Sequence, residues 1–187
     1  LPLGMIVYFG RVCRFKPLSW LVKIYISIMR GTPLMLQLLI WYFGPFYLWG
    51  MNIGGYKFTA IILGCSLNYA AYFAEIYRSG IESIPTGQYE AAQLLGYTRV
   101  QTFFKIVLPQ VVKIVLPSVT NEVITLVKDT SLVYSVSYIE MFAVAKQIAA
   151  AQTTVVPFFI AGIFYYVFNY VVAWVMELFE KKLNYYR

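Results

Sequence analysis

Long uncharged stretches alternate with short charged segments along the 187 residues of the chain. Uncharged runs cover 31–56, 58–74 and 147–176, and an apolar run with three charged residues covers 100–127. A helix needs about 20 mostly apolar residues to cross the hydrocarbon core of a bilayer. The pattern therefore predicts an all-α, polytopic membrane protein with four spanning helices.

The first ten residues are apolar and are followed by Arg11, Arg14 and Lys16. Ten residues are too few to span a bilayer, and a signal peptide carries its charges before the apolar run. We expect this segment to be the last turns of a first, truncated spanning helix.

Two regions are expected to depart from straight helices. Pro33 should kink the helix that begins near Leu18, because proline removes a backbone donor. Arg30 is expected to order the turn at Thr32–Pro33. The mixed segment 131–151 is expected to be partly re-entrant, and the last span should begin near Pro157.

Composition agrees with a lipid environment. The chain is 60% hydrophobic and 12% charged, whereas soluble domains are nearer half apolar and a quarter charged. The length suits one transmembrane domain over residues 1–187 rather than two domains.

Basic residues are distributed unequally if the helices alternate and the polar segment 79–98 is cytoplasmic. Only Lys57 and Lys146 then lie on the opposite side. The cytoplasmic flanks hold Arg11, Arg14, Lys16, Lys23, Arg78, Arg99, Lys105, Lys181, Lys182 and Arg187. This bias predicts a cytoplasmic carboxyl terminus. Because the net charge of +7 is scattered along an apolar chain, it does not indicate a nucleic-acid-binding face.

Catalytic chemistry has little support in the sequence. The chain has no histidine, no cluster of metal-ligating residues, and no Gly-rich phosphate loop ending in Gly-Lys-Ser/Thr. We therefore predict no catalytic residue, no metal site and no cofactor in this chain.

The longest polar segment, about 79–99, has the pattern of a short helix, a break and a second helix. Pro85 suits a helix start, and Gly96 suits the position just past a helix end. Thr98 and Gln101 have the spacing of a capping box. Ala91, Leu94 and Leu95 would need the groove of a partner protein to bury them.

The same segment resembles the EAA loop of ATP-binding-cassette importer permeases. The fixed positions of that loop are present as Glu90, Ala91, Ala92, Gly96, Ile106, Leu108 and Pro109. Three further segments, 30–37, 74–81 and 128–132, resemble the polar amino acid branch of these permeases, which includes histidine, arginine and glutamine permeases.

This resemblance implies a type I importer fold with about five core helices in a bacterial cell (inner) membrane. It implies two ATPase subunits that bind ATP and magnesium, a second permease (the same chain or a paralogue) and an extracytoplasmic amino acid binding protein. The implied coupling residues for the ATPase are Gln88, Glu90, Ala91, Ala92 and Gly96.

Two carboxylates, one within the apolar run 100–127 and one just after it, are candidates for substrate binding. Glu122 and Asp129 are seven residues apart, which places them about 20° from alignment on a helix. Carboxylates at membrane depth usually mark a substrate or ion path, and the resemblance assigns both positions to substrate contacts. The alternative is a structural pair in which Lys128 neutralises Asp129.

Three classes of function remain open at this point. The favoured one is the permease of an ATP-driven importer for polar amino acids, with a basic one favoured and a neutral one such as glutamine still open. A gradient-driven carrier or channel would instead use Glu122 and Asp129 as proton or sodium sites. A membrane enzyme is the third class, although the chain lacks the usual catalytic groups.

Overall fold

The computed structural model describes residues 1–52 and 54–183, and its regular elements are all helical. The α-helices are α1 (Pro2–Val12), α2 (Lys16–Gly31), α3 (Leu34–Trp49), α4 (Lys57–Glu82), α5 (Thr86–Leu94), α6 (Arg99–Thr102), α7 (Leu108–Asp129), α8 (Met141–Gln152) and α9 (Val156–Leu183). A π-helical turn, Phe103–Val107, joins α6 to α7, and a 3₁₀ turn, Thr130–Val136, follows α7.

Three long helices of the described residues can cross a bilayer by length and composition: α4, the continuous 99–136 unit and α9. Counting the bent α2–α3 pair as one span gives four. The prediction of four spans preceded by a short apolar helix is therefore consistent with the structure, with α1 as the short helix.

The break between α2 and α3 is sharper than the predicted kink, because the two helix axes differ by 111°. Pro33 has no backbone N–H and disfavours the helical conformation at the preceding residue. Thr32 accordingly is extended, with φ −122° and ψ 148°.

The interior lies between α3, α4, α7 and the 3₁₀ turn. Leu38, Val107 and Val136 are the largest fully buried side chains there. The helices approach closely at glycines: a Cβ on Gly80 of α4 would lie 2.3 Å from Cγ1 of Val115 in α7. Helix α9 instead exposes most of its apolar side chains, as expected for a lipid-facing span.

The segment predicted to be partly re-entrant forms the 3₁₀ turn and α8, and its path relative to a bilayer stays a prediction. Glu140 begins α8, because its two carboxylate oxygens accept hydrogen bonds from the backbone N–H groups of Phe142 (2.6 Å) and Ala143 (2.7 Å). This is an N-cap in which an acidic side chain satisfies otherwise unpaired donors.

Candidate functional site

A cavity of about 340 Å³ lies where the α2–α3 break faces α4 and α7. Its polar lining includes the side chains of Asn68, Tyr72 and Thr125, together with the two candidate carboxylates, Glu122 and Asp129. A cavity with few, convergent polar groups has the usual character of a small-molecule site. Its volume is within the range expected for such sites.

Glu122 and Asp129 both line this cavity, as their seven-residue spacing on α7 predicted. Both residues are half-buried. The Asp129 carboxylate accepts a hydrogen bond from the Tyr69 hydroxyl at 2.8 Å. The two groups therefore present negative charge to one cavity.

The alternative pairing of Asp129 with Lys128 is not what the structure contains. Lys128 is exposed, and among the described residues no ion pair joins it to Asp129. Adjacent residues on a helix point about 100° apart, so a carboxylate that faces the cavity turns its neighbour away from it. The charge of Asp129 is therefore directed at the cavity and not at the preceding lysine.

The cavity wall at the α2–α3 break is fixed by a buried amide network. The Gln37 amide nitrogen donates to the carbonyl oxygens of Met29 (3.0 Å) and Thr32 (3.2 Å) and to the Thr32 hydroxyl (2.8 Å). The Asn68 amide nitrogen donates to the Gln37 side-chain oxygen at 2.9 Å and to the Met29 carbonyl at 3.0 Å. These bonds satisfy carbonyl groups that the broken helix leaves unpaired.

Gln37 therefore orders this turn, whereas Arg30 was expected to do so. The Arg30 guanidinium instead lies over the ring of Tyr72, 5.4 Å from its centroid. The expectation was wrong because a long cation at the end of α2 reaches the neighbouring α4, while Gln37, one turn into α3, points back at the break.

Glu75 is the centre of a charged cluster that sequence reasoning missed. Its carboxylate forms an ion pair with Arg11 of α1 and accepts from Arg78 Nε at 2.8 Å, and Arg30 Nη1 lies 4.0 Å away. The Glu75 side chain is 14% exposed. The sequence signal for this cluster was the presence of Glu75 and Arg78 close together at the end of an apolar run. The partners Arg11 on α1 and Arg30 on α2 could not be read from the sequence, because the tertiary fold brings them to Glu75.

The predicted coupling segment begins later than expected, because α4 continues to Glu82. Arg78 forms ion pairs with Glu75 and Glu82, three residues before it and four after it, which supports the last turns of α4. The short helix α5 then carries Gln88, Glu90, Ala91 and Ala92.

Helix α5 presents a face without a partner in the described part of this chain. Leu94 and Leu95 are 89% and 75% exposed, and Glu90 and Ala91 are exposed beside them. Ala92 is different, because it is buried against the rest of the chain. Of the predicted coupling residues, Ala92 therefore belongs to the inner face of α5.

The end of α5 has the geometry that its sequence predicted. Gly96 has a φ of +77°, Gly96 N–H donates to the Gln93 carbonyl, and Tyr97 N–H donates to the Ala92 carbonyl, both at 3.0 Å. This is a Schellman cap. The predicted capping box also forms, since Thr98 and Gln101 each bond the other's backbone N–H.

The π turn at Phe103–Val107 joins the α5–α6 segment to the long span α7. Pro109 lies in the first turn of α7, where its missing N–H interrupts the regular helical bonding. A π turn widens the helix locally, as single-turn π segments do at functional positions. The motif positions Ile106, Leu108 and Pro109 therefore form the joint between α5 and the cavity-lining helix.

Comparison with known proteins decides the family. A family described as "Binding-protein-dependent transport system inner membrane component" matches residues 1–185. The chain belongs to this family. Members are the membrane permease components of ATP-binding-cassette (ABC) importers, a component distinct from the ATPase.

Individual relatives place this permease among the amino acid ABC permeases. It is 38% identical over 183 residues, 97% of this chain and 83% of the relative, to the arginine transport system permease protein ArtQ of Bacillus subtilis (strain 168). It is 34% identical over 187 residues, 98% of this chain and 78% of the relative, to the L-cystine transport system permease protein TcyB of the same organism.

Solved structures show the same fold. The permease superimposes with a TM-score of 0.86 and 32% identity on the crystal structure of an amino acid ABC transporter with histidines, covering 96% of this chain and 83% of that one. The inward-facing MetNI methionine ABC transporter matches with a TM-score of 0.75 and 20% identity, covering 98% of this chain and 85% of that one. The predicted type I importer permease fold is confirmed. Family membership also favours the ATP-driven importer over the gradient-driven carrier and the membrane enzyme.

Proposed function

We propose that this permease carries a polar amino acid, with a basic one favoured, and that Glu122 and Asp129 contact it. The observation that carries the proposal is that both carboxylates line one cavity of about 340 Å³. Asn68, Tyr72 and Thr125 supply neutral polar groups beside them. Buried amide hydrogen bonds hold Asn68 and the α2–α3 break, which form one wall of this cavity.

Charge explains the preference for a basic cargo. Two carboxylates that face one partly desolvated space repel each other, and a cation between them relieves that repulsion. One carboxylate can bind the α-ammonium group, which every amino acid has. The second can bind a side-chain cation such as a guanidinium, ideally through two parallel hydrogen bonds.

Uptake of arginine and of glutamine by the complete transporter tests this proposal. Removing one charge-assisted hydrogen bond costs about 1.5–3 kcal/mol, which corresponds to a loss of about 10- to 150-fold. We expect Glu122→Gln to lower arginine uptake by that factor and glutamine uptake by less.

Glu177→Gln is the matched control, because Glu177 is 56% exposed and pairs with Lys181 near the end of α9. This variant should transport both amino acids as the parent does. If Glu122→Gln carries arginine as well as the parent, Glu122 is structural and the charge argument fails.

The same proposal includes the assembly in which the permease works. Exposed Leu94 and Leu95 at the carboxyl end of α5 support docking of this helix in a groove of a partner ATPase, which binds ATP and magnesium. One permease chain supplies half of a pathway, so the complex contains a second permease and two ATPase subunits. An extracytoplasmic amino acid binding protein delivers the cargo. In this arrangement residues 1–187 form one transmembrane domain of a bacterial inner-membrane protein, with the carboxyl terminus in the cytoplasm.

The mass of the purified, transport-competent particle tests this assembly. Native mass spectrometry should give two permease chains and two ATPase chains per particle. An active particle that holds a single permease chain would refute the assembly.

A further inference from the structure

Arg30 lies between the cavity and the Glu75 cluster and is the most exposed of the three arginines around that carboxylate. Its side chain is 45% exposed, against 18% for Arg11 and 31% for Arg78. The Arg30 guanidinium covers Tyr72, whose side chain also lines the cavity. Arg30 therefore contacts a side chain that forms part of the cavity wall.

The positive charge of Arg30 is not needed to neutralise Glu75. Arg11 pairs with the Oε1 atom of Glu75, and Arg78 donates to its Oε2 atom at 2.8 Å. Arg30 lies 4.0 Å from Oε1, beyond hydrogen-bonding distance. Both oxygens of Glu75 thus have closer cationic partners, and Arg30 is a surplus cation.

A second negative charge that attracts this cation is in the cavity. Glu122 and Asp129 line the same cavity as Tyr72, the side chain that the Arg30 guanidinium covers. A cationic cargo in the cavity would compete with Arg30 for the negative charge of Glu122. The cargo cation would also be repelled by the positive charge of Arg30. The binding affinity of an amino acid with a neutral side chain of the same shape should depend little on the charge of Arg30, because that side chain carries no net charge.

We propose that Arg30 is a specificity-determining residue that competes with cationic cargo for the carboxylates of the cavity. Arg30 weakens the binding of basic amino acids and thereby favours their release, while it leaves neutral amino acids nearly unaffected. The inference rests on the proposed function, because it requires that the cavity bind the amino acid.

Arginine and citrulline are the probes that separate charge from shape, because citrulline replaces the guanidinium by a neutral group of nearly equal size. Binding of both is measured on the complete permease–ATPase complex in lipid nanodiscs. Repulsion between the Arg30 guanidinium and a cargo cation at this partly exposed site should lower the affinity by about fivefold. We expect Arg30→Gln to tighten arginine binding by about three- to tenfold and to change citrulline binding less than about twofold. Arg30→Lys, which keeps the charge, should preserve the parent ratio of the two affinities.

Arg78→Gln is the matched control, because Arg78 is also bound to Glu75 but pairs with Glu82 away from Tyr72. Its arginine-to-citrulline ratio should equal that of the parent. If Arg30→Gln does not assemble, Arg30→Met gives the same comparison with its apolar stem still on Tyr72.

The outcomes distinguish this inference from the proposed function. An unchanged ratio in the neutral Arg30 variant, or weaker binding of both probes by one factor, overturns the role of Arg30 alone. A parent complex that binds neither arginine nor citrulline at the cavity overturns the proposed function as well. Failure of both neutral variants to assemble assigns Arg30 to folding and also overturns the inference.

Discussion

Replacing Gly96 by valine places a β-branched side chain where the backbone has a φ of +77°. A Cβ at Gly96 would meet nothing within 4 Å, so the penalty comes from the backbone conformation and not from a steric clash with neighbours. A non-glycine residue in the left-handed region costs about 1–3 kcal/mol, and a β-branched residue lies toward the upper end. The population of the capped conformation should therefore fall by about 5- to 150-fold relative to alternative turns.

The strain should appear as lost coupling rather than lost insertion, because Gly96 is exposed and lies outside the helical core. Transport into proteoliposomes and substrate-stimulated ATP hydrolysis by the assembled complex should both fall in Gly96→Val. The amount of inserted, monodisperse complex should stay close to that of the parent.

Two variants control for backbone conformation and for added bulk. Gly96→Asn should retain most of the coupling, since asparagine tolerates left-handed φ values. Gly87→Ala adds a methyl group inside α5, where a Cβ also has open space and φ is not positive, and it should couple normally. Normal coupling in Gly96→Val would refute the reasoning that the Schellman cap transmits motion from α5.

Two further variants test the packing around the site. Gly80→Ala would place its Cβ 2.3 Å from Val115 Cγ1, so the thermal midpoint of the complex should fall by the equivalent of about 1–3 kcal/mol. Adding Val115→Ala in the same chain should restore the midpoint. The control Gly162→Ala, where a Cβ has open space, should leave the midpoint unchanged. Gln37→Leu removes three hydrogen bonds at the α2–α3 break and one from Asn68. We therefore expect about 1–3 kcal/mol of destabilisation and weaker substrate binding by the complete complex. An unchanged thermal midpoint would contradict the structural role of Gln37.

Local sequence features were sufficient for several elements. The cap at Gly96 and the capping box at Thr98 depend on residues within one or two turns, and both form with the predicted bonds. The alignment of Glu122 and Asp129 follows from helix periodicity along one helix, so their common cavity could be expected before the fold was known.

Other features required contacts between distant segments. The extension of α4 to Glu82 was missed because polar residues near 79 were interpreted as a loop, whereas ion pairs and the close contact of Gly80 with α7 hold them in a helix. The role of Arg30 at the turn was predicted wrongly and the role of Gln37 was missed, because the reach of a side chain at a helix break depends on which helix packs beside it.

The sequence by itself determined the membrane environment, the number of apolar helices and the family motif, because composition, hydropathy and fixed spacing are properties of the linear chain. Tertiary structure decided the 111° break between α2 and α3, the partner of Asp129 and the three arginines around Glu75. Each of these depends on side chains from different helices meeting in a low-dielectric interior, where an unpaired polar group is costly and the nearest partner in space determines the arrangement.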